Sequence, residues 1–191
     1  EILENFCDEL LKNSAPLDEQ DIDKNTALIL ALLRENTSLA KLLINKGANV
    51  TLQNATGASA LSLAVMNNDI ELVQLLMQHG AHKNSNDTIV LEDSTESSPL
   101  LLALSEELTE NDIQASEKIL TILLANGALI NKKDSAGETP RMRVVRESNF
   151  EKIKMLLEHG ADIHAVDNKG KNVLYYALKN SKSTQLSSTQ R

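Results

Sequence analysis

The sequence has almost no aromatic side chains. Two Phe, two Tyr and no Trp make up 2% of its 191 residues, while hydrophobic residues as a whole reach 41%. Any core is therefore built from Leu, Ile, Val and Ala. Cysteine occurs once, as Cys7, so no disulfide forms within the chain and a disulfide-held secreted scaffold is excluded; a reducing, cytoplasmic setting fits. The four Asn-x-Ser/Thr sequons, at Asn36, Asn49, Asn54 and Asn86, are then silent. Basic residues are few: 19 Lys and Arg against 27 Asp and Glu, a net charge of −8. No apolar run approaches the roughly 20 residues of a membrane helix, and no signal-like apolar segment opens the chain. Also missing are G-x-x-x-x-G-K-S/T, G-x-G-x-x-G and G-x-S-x-G, the motifs of phosphate-cradling loops and nucleophile elbows.

What could carry chemistry is scattered. Cys7 lies between Phe6 and Asp8 with no basic neighbour to lower its pKa. The pairs Glu106-Glu107 and Asp21/Asp23 lie in polar stretches, where nothing raises a carboxylate toward neutrality. His79 and His82 make at most half a metal site, with no Cys or carboxylate cluster at ligand spacing to complete it. No metal, no cofactor and no catalytic group is read, and the chain is not read as an enzyme.

What is present is a repeat. The stretch from Asn54 to Asn84 reads NATGASALSLAVMNNDIELVQLLMQHGAHKN: a small-residue turn, two short apolar-periodic runs, then a helix-stopping Gly-Ala. The Gly of that pair falls at Gly47, Gly80, Gly127 and Gly160, with spacings of 33, 47 and 33, and 47 is 33 plus an insertion of 14. Stepping back 33 from Gly47 lands on Ser14, followed by Ala15. The opening of the unit keeps phase at Thr26-Ala27-Leu28, Ser59-Ala60-Leu61, Ser98-Pro99-Leu100, Thr139-Pro140-Arg141 and Asn172-Val173-Leu174. A fixed period of this length specifies a solenoid.

With T-P-L-H-x-A-like openings and L-L-x-x-G-A closings at this period, the chain resembles the ankyrin repeat family. The resemblance implies an all-α fold, an ankyrin-type solenoid of stacked helix-turn-helix repeats with short β-turn or hairpin loops. It assigns 1–180 to one domain: a half-repeat 1–20, repeats at about 21–53, 54–84, 85–133 with insertions and 134–166, and a half-repeat 167–180. Residues 181–191 are Ser, Thr, Gln and Lys with one Leu and read as a polar tail or linker. The chain begins at Glu1 without a Met, so it reads as a piece of a longer product, and the last unit is either an end cap or the start of further units.

The first unit places its inner helix at 26–34 and its outer helix at about 38–46. The apolar spacing of Ile2, Leu3, Phe6, Leu10 and Leu11 reads as a capping helix. In the third unit Thr109 and Asp112 form a capping-box-like start for an outer helix beginning near Ile113, and both helices of that unit are expected to be about a turn longer. Its insertions are either tolerated loop drift or a docking loop. In the fourth unit Arg141 takes the position of Leu28, Leu61, Leu100 and Leu174. Its stem is expected along apolar neighbours with its head in water, or else a carboxylate reaches it.

The resemblance further implies a protein-binding module or scaffold whose concave surface is lined by the turns and by the exposed face of each inner helix. Position by position, the turns contribute Asp21 and Asp23, Thr56, Glu96, Glu138, and Lys169 with Lys171. The helix faces contribute Met66, Leu102, Arg143 with Arg146, and Tyr176. Arg and Tyr are the types that most often anchor interfaces, which makes Arg143, Arg146, Lys169 and Tyr176 the expected centre. The charge divides unevenly: residues 1–118 hold 20 acidic and 7 basic side chains, residues 119–191 hold 7 and 12. The basic end suits a protein partner with an acidic segment better than nucleic acid, since the domain is acidic overall and only Tyr175 and Tyr176 could stack on bases. A monomer without membrane contact is expected. The alternatives are a substrate-recruiting domain of a larger enzyme or, given 18 Asn in the chain and the AT-rich coding they suggest, a bacterial effector secreted into the host cytoplasm.

Overall fold

In the computed structural model, the structure describes residues 15–81, 89–90, 96–104, 110–147 and 149–179, together with Asn5, Glu9, Lys12 and Asn13. Helices follow in pairs, inner then outer: α1 (Ala27–Leu33) and α2 (Thr37–Asn45), α3 (Ala60–Met66) and α4 (Ile70–Gln78), α5 (Pro99–Leu104) and α6 (Glu110–Ala125), α7 (Pro140–Glu147) and α8 (Phe150–Glu158). Residues 173–179 form a last inner helix, α9. Two short strands, β1 (Ile89–Val90) and β2 (Glu96–Ser97), pair antiparallel within the first insertion of the third unit.

Helices of seven to nine residues are too short to hold alone in water, so their ends are specified by side chains. Thr26 and Ser59 cap α1 and α3 by accepting from the N–H three residues on, and Asn36, Asp69 and Asn149 cap α2, α4 and α8 in the same way. At the other end the recurrent Gly takes positive φ, 92° at Gly47 and 85° at Gly160. The Ala after it then donates back into the helix: Ala48 N to Leu43 O, Ala128 N to Leu123 O, Ala161 N to Leu156 O. The positive φ is why glycine recurs at each closing.

The leucines seal the units against one another. Leu28, Leu32, Ile44, Leu72, Leu76, Leu104, Ile119, Leu120, Leu123 and Leu156 are fully buried. Inner helix packs on inner helix (α1 on α3, α3 on α5, α5 on α7) and outer on outer (α2 on α4, α4 on α6). Buried Ala31, Ala64 and Ala103 hold the equivalent place on three successive inner helices and allow their close approach. The result is an all-α stack in which each unit leans on its neighbours.

Two expectations are revised. The outer helix of the third unit begins at Glu110, not near Ile113, and runs for 16 residues where α2, α4 and α8 run for nine. The extension is therefore close to two turns, held to the inner helix by Ser116 Oγ donating to Ala103 O at 2.5 Å. The inner helix α5 is described over Pro99–Leu104, and the expectation that it is about a turn longer falls on residues 105–109, outside the described residues. The Thr109 cap, most of the capping helix at 2–11 and the tail at 181–191 lie outside the described residues. Arg141 also departs from both expectations: its Nε and Nη1 are buried with no hydrogen-bond partner. Burial pulls its pKa below the ordinary value, and the charge of Asp162 only partly offsets this.

Candidate functional site

Among the described residues, four units open on a tight turn closed by one Asn or Asp. Asp21 Oδ1 accepts from Asp23 N (2.9 Å) and Asn25 N (2.8 Å), and Asn54 Oδ1 accepts from Thr56 N (3.1 Å) and Ala58 N (2.9 Å). Asp134 Oδ1 does the same for Ala136 and Glu138, and Asp167 Oδ1 for Lys169 and Lys171. These side chains hold the turn because a short carboxylate or amide reaches its own backbone two and four residues on. Asp21 titrates below the usual carboxylate value, first because Asn25 N donates to it.

Successive turns are stitched together one period apart. Ala55 N donates to Asp23 O at 2.8 Å, Asn168 N to Ala136 O at 3.2 Å, and Asn168 Nδ2 to Ser135 O at 3.0 Å. Lys133 Nζ reaches Val166 O at 2.7 Å. Gly137 has φ 78°, and a Cβ there would lie 2.6 Å from Asn168 N. Glycine is what lets these two turns meet.

Along this row Asp21, Asp23 and Thr56 are exposed, with Thr56 Oγ1 donating to Asn54 Oδ1. Met66 is exposed at the end of α3, and Leu102 is half-buried on α5. Glu96 lies in β2 opposite Val90. In the fourth unit Arg143 is half-buried and Arg146 exposed, one turn apart on α7. Lys169 is exposed at the last turn, and Lys171 is half-buried with its Nζ 4.4 Å from the Tyr175 ring centroid.

Tyr176 requires a correction: it is 7% exposed and not an open anchor on the surface. Its hydroxyl lies 2.7 Å from Asp167 Oδ2 and 2.9 Å from Glu138 Oε1. One phenolic proton serves two carboxylates, so it is held tightly. Burial first, then these bonds, push the tyrosine above its ordinary pKa of 10.0. Glu138, largely shielded, receives Arg146 Nη1 at 3.2 Å. The structure thus joins Arg146, Glu138, Tyr176 and Asp167 into one chain across the fourth and fifth units, with Lys169 and Lys171 hung on the Asp167 turn. Such an arrangement ties the Arg146 head group, fixes the backbone from which Lys169 and Lys171 project, and stabilises a neutral phenol, the opposite of an activated base.

Asp167 is the member that the sequence reading missed, and the signal was there: Asp21, Asn54, Asp134 and Asp167 keep the same phase as the Gly ladder. Burial works to raise its pKa, but the bonds from Tyr176, Lys171 N and Lys169 N outweigh it and leave the value below 3.8. A depressed folded value means stability that is complete above the unfolded pKa and is lost as pH falls through the folded one. Asp167→Asn keeps a side chain that can close the turn, as Asn54 does, and removes the charge. Its deficit in melting temperature is expected to be largest at neutral pH and to shrink between about pH 5 and pH 2, read by thermal melts across that range.

His159 Nδ1 lies 2.9 Å from Met155 O at the end of α8. Among the described residues no group of three His, Cys, Asp or Glu could hold a metal ion, and no helix is long and apolar enough to cross a membrane.

Comparison with known proteins agrees with this geometry. The chain is similar, at 27% identity and a TM-score of 0.70, to a chain in the complex of the Bd0816 predatory endopeptidase from Bdellovibrio bacteriovorus with immunity protein Bd3460; 96% of this chain and 90% of that one are covered. It also shares the fold of EF0377, an ankyrin repeat protein, at 23% identity and a TM-score of 0.72, covering 94% of this chain and 87% of that one. The profile of ankyrin repeats in three copies matches residues 2–87 and 111–186. The chain belongs to the ankyrin repeat family, whose members are protein–protein interaction modules and generally non-catalytic.

Proposed function

We propose that this chain is a non-catalytic scaffold that binds a partner protein along the row of turns and inner-helix faces, with an acidic segment of the partner against the basic fourth and fifth units. The observation that carries this reading is the grouping of Arg146, Lys169 and Lys171 around the Glu138–Tyr176–Asp167 chain. Arg146 is tied to Glu138, Glu138 and Asp167 share Tyr176, and the Asp167 turn presents Lys169 and Lys171. Arg146, already tied to Glu138, and Lys171, beside the Tyr175 ring, lose less conformational freedom when a carboxylate arrives, which favours affinity. Arg143, one turn from Arg146 on α7, adds a further donor of the type that anchors interfaces. The likeness to a chain from an endopeptidase–immunity protein complex favours an enzyme as the class of partner, held by its surface. A monomer in a reducing compartment suits this role.

The test is affinity capture from a lysate of the source cells, with captured proteins identified by mass spectrometry. Arg143→Glu/Arg146→Glu is expected to reduce capture of the partner about tenfold or more. Its melting temperature should fall by several degrees, because Arg146→Glu sets a like charge beside the largely shielded Glu138, and a retained far-UV spectrum is the control that the fold persists. Undiminished capture by the double variant would remove the basic end from the binding surface.

A further inference from the structure

Asn126 and Gly127 form the single Asn-Gly pair among the chain's 18 Asn. The other closings place Lys46, His79 and His159 before the glycine. Asparagine in that place brings a chemistry of its own. Its side-chain amide carbon comes within reach of the backbone nitrogen of the next residue, and glycine has no side chain to hinder the approach.

The reaction balances with water alone. Gly127 N gives up its proton to a solvent base and bonds to Asn126 Cγ. The Cγ–Nδ2 bond breaks, and Nδ2 takes a proton from solvent and leaves as ammonia. Water then opens the resulting cyclic imide at either carbonyl. One opening gives aspartate on an ordinary backbone; the other gives isoaspartate, whose backbone runs through the side-chain methylene. Nothing is oxidised or reduced.

The structure both exposes this pair and restrains it. Asn126 and Gly127 are exposed at the end of α6, and a Cβ on Gly127 would meet no atom within 4 Å, so the imide has room. Against this, Asn126 Nδ2 donates to Ile122 O at 2.7 Å and Gly127 N to Leu124 O at 3.1 Å. The attacking and the leaving nitrogen are thus both engaged in the last turn of the helix. Ring closure waits for that turn to open, and helix ends open more readily than the core of a fold. We propose that Asn126-Gly127 is a self-converting modification site, gated by the end of α6, whose isoaspartate product undoes the closing of the third unit. The product lengthens the backbone by a methylene and sets a carboxylate at the negative end of the helix. The bond from Ala128 N to Leu123 O, 3.0 Å in the parent, then falls out of register. Leu123 is fully buried on α6, so the loss reaches the seam that α6 shares with α4 and α5.

The test incubates the full chain at mildly alkaline pH beside a peptide of residues 117–134, which is too short to hold the helix in water. Isoaspartate is located by peptide mapping. The full chain is expected to convert at Asn126 about tenfold or more slowly than the peptide, and faster as pH rises. Ala125→Gly, at an exposed position, loosens the last turn. It should speed conversion of the folded chain by about threefold or more and leave the peptide's rate unchanged. The isoaspartate form should melt below both the parent and the aspartate form, which carries the same charge on an ordinary backbone. Asn126→Gln should yield no product at 126. An unconverted full chain beside a converted peptide overturns the proposal. So do equal rates in chain and peptide, an Ala125→Gly chain no faster than the parent, or an isoaspartate form that melts with the aspartate form. Partner capture is read in a separate experiment, so the binding reading stands or falls apart from this one.

Discussion

Leu76→Ala is expected to lower the unfolding free energy by about 3 kcal/mol, within the range for a leucine truncated in a packed core. Leu76 is fully buried on α4, and its register mates Leu43, Leu123 and Leu156 are buried as well. It sits in a nine-residue helix packed on α2, α3 and α6. The cavity therefore opens at a seam shared by three units. Because the helices gain their stability from such seams, the loss cannot be absorbed by the helix itself. Urea unfolding followed by circular dichroism measures the change. Leu174→Ala is the control: with most of its surface already in water, it should change stability by less than about 0.5 kcal/mol. Similar losses at the two positions would mean that the last unit is covered as the others are.

Arg141→Leu is expected to act in the opposite direction and stabilise the chain by about 1–3 kcal/mol. The site has the shape of a leucine position, as Leu28, Leu61 and Leu100 show. The guanidinium placed there leaves Nε and Nη1 buried without partners, and Asp162 offers charge without forming an ion pair. Thr139 Oγ1, at the start of the same helix, is buried and unpartnered too, whereas Thr26, Ser59 and Ser98 each accept from the N–H three residues on. Two departures from the repeat thus meet at the entrance of α7. Leucine restores apolar contact and removes the desolvated cation. The urea midpoint should rise with an unchanged slope; a fall in midpoint would show that the guanidinium makes a favourable contact. Lys152 also occupies a core-leucine position, in register with Leu72, but its Nζ donates to Leu104 O at 3.1 Å. Lys152→Leu is therefore the poorer test, since it removes that bond.

The period, the helix pairs and the helix ends were legible because each has a local cause. Gly takes the positive φ after an outer helix, Ser or Thr caps an inner helix, and leucines recur on one face. What escaped the sequence depends on residues far apart in the chain. Tyr176 carries an interface-type side chain at an interface-type position, and only the fold shows Asp167 and Glu138 closing on its hydroxyl. The two-turn growth of α6 was underestimated because insertion length does not say how the added residues divide between loop and helix. The exposed Leu174 was invisible for a related reason: a core leucine and an uncovered one read alike until neighbours are in place.

The claim beneath all of this is that stability passes only between adjacent units. Native-state hydrogen exchange on the parent and on Leu76→Ala, resolved by segment, measures that directly. Protection should fall most in residues 27–78 and 99–125, which flank the lost side chain, and least in residues 149–179. A loss in 149–179 equal to or larger than that around α4 would contradict a stack held together by nearest neighbours.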